Sequence, residues 1–124
     1  MWGKVMLSVH VEQVGDVAVV EFEGRIVRSE AVFELRDAVL SQAAARIVVL
    51  DLSEVDAIGG GGLGMLVFLQ RWAYAHNIRL KLFNPRRLRD RLEDAVTIPA
   101  FEIATLDEMI SLLARADSRY ALAS

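Results

Sequence analysis

The chain has 124 residues, with 14 Lys and Arg against 17 Asp and Glu, so its formal net charge is −3 at pH 7. This length suits a single domain, and a hydrophobic fraction of 54% excludes a disordered chain. The lack of cysteine excludes disulfides and thiolate zinc sites, and the mild acidity argues against nucleic-acid binding, which relies on neutralising phosphates.

The first third of the chain predicts a β-hairpin followed by a helix. Apolar residues alternate with polar ones from Val5 to Val11, which is typical of a half-buried strand. Gly15-Asp16 forms a turn, and Val17–Phe22 is the second strand. From Ser29, which we assign as the N-cap, apolar residues recur at helical spacing, and the helix runs to about Ala44 or Ala45.

The middle of the chain predicts two strands that alternate with a helix. Arg46–Leu52 is a near-continuous apolar run, typical of a central strand that is covered on both faces. Residues Ser53–Ala57 then form a turn. The segment Leu63–His76 is a second helix that is buried in its first half, with Asn77 as its C-cap. Ile78–Phe83 is the next strand.

The last third predicts two helices separated by a short strand. Asn84-Pro85 has the pattern of an N-cap followed by proline at the first helical position. The polar helix that it opens runs from Arg86 to about Asp94. A short strand near Phe101–Ala104 and a last helix over Leu106–Ala116 complete the order.

This order of elements predicts a single α/β domain. A hairpin followed by βαβ units gives a mixed sheet of four to five strands with about four helices packed on it. We place the domain at residues 1–116 and a flexible tail at residues 117–124. The longest apolar run, Leu63–Leu69, is too short to span a membrane, and no signal-peptide pattern is present. We therefore expect a cytoplasmic protein that does not insert into membranes.

The most unusual feature is a run of glycines between a buried strand and a buried helix. Gly59, Gly61 and Gly64 fit the dinucleotide-binding pattern G-x-G-x-x-G. In that motif the strand leads directly into the glycines, whereas a turn is predicted here, and Lys81 and Asn84 stand where the acidic ribose partner belongs. A helix start with bare N–H groups attracts anions. A close approach of neighbouring backbone is the interpretation we favour.

The other candidate side chains form no catalytic motif. Asp51, Glu54 and Asp56 cluster before the glycines, but carboxylates at a strand end more often cap the backbone than bind Mg²⁺. His10 and His76 have no ligand partner at metal-binding spacing. The sequence predicts neither an enzyme nor a bound metal or cofactor.

Several fragments resemble a known family when they are taken in order and spacing. They are residues 17–24 (VAVVEFEG), Leu35-Arg36, residues 47–53 (IVVLDLS), Gly62-Leu63-Gly64, Asn84-Pro85 with Leu88 and Leu92, and Phe101-Glu102-Ile103. Together they resemble the STAS domain, the fold of bacterial anti-sigma factor antagonists. The likeness covers the chain from Val17 to about Leu113.

The resemblance implies a small partner-binding module. Members of the family dock on a protein kinase that doubles as an anti-sigma factor, and they thereby release the sigma factor. Phosphorylation of a serine at the start of the second long helix stops this docking. In this chain the family's aspartate position is Gly59, the phospho-acceptor position is Gly60 and the variable position is Gly61, while Gly62-Leu63 match the family's pattern.

Since Gly60 has no hydroxyl, the usual phosphorylation is excluded at that position. Three outcomes remain open: a constitutive antagonist, a STAS subunit of a transporter or sensory complex, or a decayed copy. A small nucleotide- or anion-binding domain is the alternative of a different class, and homodimerisation is also left open. The residues assigned to partner binding are Gly59, Gly60, Gly61, Gly62, Leu63 and Arg25.

Overall fold

The computed structural model describes residues 7–94 and 101–123, which form a five-stranded sheet flanked by helices. In chain order the elements are β1 (Ser8–Val14), β2 (Val17–Ile26), α1 (Ser29–Leu40), β3 (Ile47–Ile58), α2 (Gly60–Ala75), β4 (Arg79–Phe83), α3 (Arg89–Asp94), β5 (Glu102–Ala104) and α4 (Leu106–Ala123). The strands lie side by side in the order of the sequence, with β1 antiparallel to β2 and each later pair parallel. The predicted α/β fold with a mixed sheet is confirmed.

Two separate clusters of buried side chains lie on the two faces of the sheet. Because successive residues of a strand point to opposite faces, Leu50 and Val49 belong to different clusters. Leu50 packs in the larger cluster with α1 and α2, which contribute residues such as Leu35 and Leu66. Val49 packs in the smaller cluster, which α4 covers with residues such as Leu112. The centre of the sheet is thus covered on both sides, as the apolar run in β3 predicted.

Strand β1 is more exposed than its alternating pattern predicted. Val9 and Val11 lie opposite Phe22 and Val20 on the face of the sheet that carries α1 and α2. They are nevertheless 38% and 37% exposed. Strand β1 is an edge strand, and the helices of that face pack over the central strands rather than over the edge. The predicted start of the strand at Val5 lies outside the described residues.

Strand β3 continues to Ile58, so the predicted turn over residues 53–57 was wrong. The parallel register with β2 shifts between Glu21 and Glu23, and again between Gly24 and Arg25, and each time β3 supplies one residue more than β2. These bulges break the period-two alternation. The strand was missed because its buried residues then stand three apart instead of two.

Three helix starts also differ from the prediction. Helix α1 begins at Ser29 itself, with Arg28 as the N-cap, and ends at Leu40 rather than near Ala44. Helix α2 begins at Gly60, ahead of the predicted Leu63, because glycines leave no apolar periodicity to detect. At its other end His76 is the C-cap, and Asn77 follows with a left-handed φ of 58°.

The predicted cap of the third helix was wrong. Asn84 has a φ of 53°, whereas an N-cap residue takes an extended conformation. Its side-chain amide instead donates a hydrogen bond to the hydroxyl of Ser53 at 3.0 Å. Helix α3 therefore starts only at Arg89. Helix α4 continues to Ala123, beyond the predicted end at Ala116, since no glycine or proline interrupts it.

In the part of the chain that the structure describes, each helix falls short of the length or the apolar character that crossing a membrane requires.

Candidate partner-binding site at the start of α2

The glycine run forms the junction between the end of β3 and the first turn of α2. Gly59 is the N-cap, in an extended conformation, and no side chain caps the helix. Its amide donates a hydrogen bond to the carbonyl of Ile26 at 2.9 Å, and its carbonyl accepts one from the amide of Leu63 at 3.0 Å. The helix start is thus anchored to the end of β2 through backbone groups alone.

Most of the run presents bare backbone on the surface. Gly60, Gly61 and Gly64 are all exposed. A Cβ added at Gly60 or Gly64 would meet no atom within 4 Å, and one added at Gly61 would meet only Val32 Cγ2, at 3.7 Å. A partner can therefore approach the helix backbone closely at these positions.

Gly62 has a different role, because it packs inside the protein. A Cβ at this position would lie 2.6 Å from Ile58 Cγ1, 2.9 Å from Ile26 Cγ2 and 3.0 Å from the carbonyl oxygen of Ile26. Only glycine fits at that distance. The close backbone approach favoured from the sequence is found here, at one position of the run.

The run does not depend on glycine for its backbone conformation. In the described residues, the glycines with positive φ are Gly15 and Gly24, and both lie outside the run. Larger residues at Gly60 and Gly64 are therefore compatible with the backbone and with the surrounding space.

Apolar side chains that the sequence analysis missed flank the bare backbone. Val27 is 47% exposed, and a Cβ at Gly59 would touch its backbone at 3.7 Å. Phe68 is 51% exposed and follows Gly61 and Gly64 at helical spacing, so the three share one side of α2. That spacing was visible in the sequence and could have identified Phe68.

The remaining assigned residues are not both on this surface. Arg25 is exposed but, because its neighbour Ile26 points into the larger core, it lies on the opposite face of β2, the face that carries α4. Leu63 is half-buried and packs against the larger core, so it holds α2 in place more than it faces a partner. We name Gly59, Gly60, Gly61, Gly64, Val27 and Phe68 the α2 surface.

The electrostatics of the α2 surface favour negative groups. The first turn of α2 contains no acidic residue, and no side chain satisfies its free N–H groups. These donors lie at the positive end of the helix dipole. The surface therefore offers N–H donors beside exposed apolar side chains.

Two of the three carboxylates ahead of the glycines, Asp51 and Asp56, serve the local structure. Asp51 accepts a hydrogen bond at 3.0 Å from the backbone N–H of Ser53. Asp56 forms an ion pair with Arg87. Within the described ranges, no group of three or more His, Cys, Asp or Glu could hold a metal ion.

The turn predicted ahead of the glycines, which spoke against a dinucleotide site, is absent, whereas the acidic ribose partner is missing as predicted. Because β3 reaches Ile58, the strand does lead directly into the glycines. At the end of the next strand, however, Lys81 pairs with Glu102 at 3.3 Å and Asn84 bonds Ser53. Neither offers the carboxylate that binds a ribose in that motif.

A family model and several solved structures match the chain, whereas no curated protein does. The family model, described as "Mlab, STAS domain", matches residues 9–114. A variant of RsbS from Moorella thermoacetica has a TM-score of 0.66 at 18% identity, covering 86% of this chain and 95% of that one. The unphosphorylated anti-sigma factor antagonist SpoIIAA has a TM-score of 0.65 at 18% identity, covering 86% and 98%. An anti-sigma factor antagonist from Mycobacterium paratuberculosis has a TM-score of 0.64 at 22% identity, covering 87% and 94%. At these identities the likeness shows a shared fold.

Proposed function

The chain belongs to the STAS domain family, and on that premise we propose that it is a non-catalytic protein-interaction module of the anti-sigma factor antagonist type. The α2 surface is the docking site, and the protein acts in the cytoplasm. The anti-sigma factor antagonists among the structures that share its fold support this assignment.

The observation that carries the proposal is the bare helix start at Gly60 and Gly61. Exposed backbone N–H groups there lie beside two exposed apolar side chains, Val27 and Phe68. A protein partner can satisfy the donors with carboxylate or carbonyl oxygens and cover the apolar groups at the same time. The apolar flanks favour a protein partner over a small anion.

The partner that this type of module implies is an anti-sigma factor of the serine-kinase class. In the family such a kinase phosphorylates a serine at the position of Gly60. Since Gly60 carries no hydroxyl, docking at this position is independent of phosphorylation, and the cellular amount of the protein controls it.

Two substitutions at Gly60 test the docking site. Gly60 is the first helical residue and not the N-cap, and a side chain there meets open space. Aspartate suits the positive end of the helix, so Gly60→Asp is expected to fold normally. Its charge would be buried against the partner, and we expect affinity to fall at least about tenfold, or about 1.4 kcal/mol. Gly60→Ser adds a side chain of similar size without charge and should keep the affinity.

The experiment starts from an affinity capture in the native cell with identification of the bound protein. Recovery of a kinase-type anti-sigma factor supports the proposal, and the two variants are then compared with the wild type by calorimetry against that partner. Circular dichroism melting confirms that both variants are folded. Unchanged binding by a folded Gly60→Asp variant would place the docking site elsewhere.

A further inference from the structure

The face of the sheet that carries α4 is only partly covered. Helix α4 follows β5, whose Ala104 pairs with Phe83, which in turn pairs with Asp51. Further along the helix, Ala116 reaches the turn between β1 and β2, where a Cβ on Gly15 would lie 2.8 Å from its carbonyl oxygen. Helix α4 therefore crosses the sheet diagonally and leaves the carboxyl-terminal halves of β2 and β3 open on this face.

The open area is strongly acidic. Glu21, Glu23, Asp51 and Glu54 line a hollow of about 90 Å³ on it. These four carboxylates carry more negative charge than the whole chain has as its net charge, which is −3. The negative charge of the protein is therefore concentrated on this small area. His10, on β1, lies at the edge of the same hollow.

Like charges stand next to each other in the register of the two strands. Glu21 pairs with Asp51, and Glu23 pairs with Glu54. Neighbouring like charges on a sheet are destabilising. Among the described residues, no Lys or Arg forms an ion pair with Glu21, Glu23 or Glu54. The fold thus maintains a repulsion that a cationic partner would relieve.

An apolar wall borders this acidic area. Ser111 and Arg115 of α4 line a cavity at the amino-terminal ends of β3 and β4, on one flank of the helix. Leu106, Ile110 and Leu113 lie on the other flank, which points to the open area. Leu106 and Ile110 are 63% and 58% exposed. We name Glu21, Glu23, Asp51, Glu54, Leu106 and Ile110 the acidic groove.

We propose that the acidic groove binds a basic amphipathic helix of a protein partner, lying alongside α4. Helices α1 and α2, with Leu92 of α3, cover the opposite face of the sheet, whereas α4 alone covers this one within the described residues, so a further helix completes the layer. Lysine or arginine on one side of the bound helix meets the carboxylates, and leucine-like residues on its other side meet Leu106 and Ile110. The acidic groove and the α2 surface lie on opposite faces, so this inference does not rest on the proposed function.

The first test uses a synthetic helical peptide with lysines on one face and leucines on the other. The full chain, labelled with ¹⁵N, is titrated with this peptide and with a scrambled peptide of identical composition. We expect amide shifts confined to residues around Glu21, Glu54 and Ile110, and binding of the scrambled peptide that is weaker by about tenfold or more. Absence of binding, shifts elsewhere, or equal binding of both peptides would refute the groove.

The second test separates specific binding from general charge attraction. The double variant Glu21→Gln with Glu54→Gln should weaken peptide binding by about tenfold. The control, Glu30→Gln with Glu34→Gln on α1, changes the net charge equally and should leave binding near the wild-type value. Equal weakening by both pairs would contradict the proposal.

The same variants have a second readout in the free protein. The double variant removes one charge from each of the two like-charged pairs, so it should raise the melting temperature. Damage to the fold would lower the melting temperature instead. The exposed position of Ile110 makes Ile110→Ser compatible with folding, and this variant should also weaken peptide binding. If Ile110→Ser binds the peptide with wild-type affinity, the apolar side chains of α4 do not contribute to binding, and the proposal of an amphipathic helix in the groove is refuted.

Discussion

Replacing Gly62 by alanine provides the sharpest test of the packing between β3 and α2. The added Cβ would sit at 2.6 and 2.9 Å from two isoleucine side chains and at 3.0 Å from the carbonyl oxygen of Ile26. Overpacking of this kind costs about 1–3 kcal/mol. The upper end applies here, because the carbonyl belongs to a hydrogen-bonded backbone segment and cannot rotate away. Alanine gains up to about 1 kcal/mol of helix propensity, so we expect Gly62→Ala to lose about 2 kcal/mol.

Gly64→Ala is the matched control, since it makes the same chemical change within the same helix. A Cβ at Gly64 meets nothing within 4 Å, so this variant should gain about 1 kcal/mol from helix propensity alone. The two variants therefore differ by about 3 kcal/mol, or roughly 9–15 °C in melting temperature for a domain of this size. Urea unfolding followed by circular dichroism measures the difference. If Gly62→Ala is as stable as the wild type, the contacts at Gly62 do not restrict its size and the reasoning fails.

Three further predictions concern other parts of the fold. Gly15→Ala should lower the unfolding free energy, since Gly15 has a φ of 60° and its Cβ would lie 2.8 Å from the carbonyl oxygen of Ala116; thermal melting checks this. Burial raises the pKa of Glu102, but the hydrogen bond and charge of Lys81, with the nearby Arg79, outweigh it and hold the pKa below 4.5. The lowered pKa adds to the free energy of unfolding above pH 4.5, and this contribution is lost as the pH falls through the folded-state pKa of Glu102. The variant Glu102→Gln should therefore have a lower urea midpoint than the wild type at pH 7 and the same midpoint in strong acid. After incubation with ATP and the kinase proposed as partner, mass spectrometry should find Ser53 unmodified, because its hydroxyl bonds both Asp51 and Asn84; stoichiometric phosphate on Ser53 would indicate a displaced switch.

Most of the element order could be predicted because it depends on local periodicity. The central strand was visible as an apolar run that ended in Leu52, since both of its faces are buried there. Its continuation to Ile58 was not visible, because two bulges shift the buried positions out of alternation. Bulges depend on the partner strand, which the sequence of β3 alone does not specify.

The sequence pointed to the start of α2 as the candidate site, but it did not distinguish the parts of that site. The run of glycines indicated the start of a helix, yet sequence gives no means to separate Gly62, which packs against Ile26 and Ile58, from Gly60, which meets open space. That difference depends on which residues lie across the junction in three dimensions. The acidic groove was missed for the same reason, since its carboxylates come from two strands that are neighbours only in the folded sheet.

The diagonal path of α4 bears on the order in which the domain is completed. Val17, Val19 and Val49 are buried beneath this helix, yet they are synthesised long before it. Until residues 106–123 have emerged and docked, one face of the central strands stays apolar and uncovered, which is the condition under which nascent chains associate wrongly. During synthesis, α4 can dock against the turn at Gly15 only after all five strands have emerged, and a chain that stops before Leu106 would expose this face to chaperones and proteases.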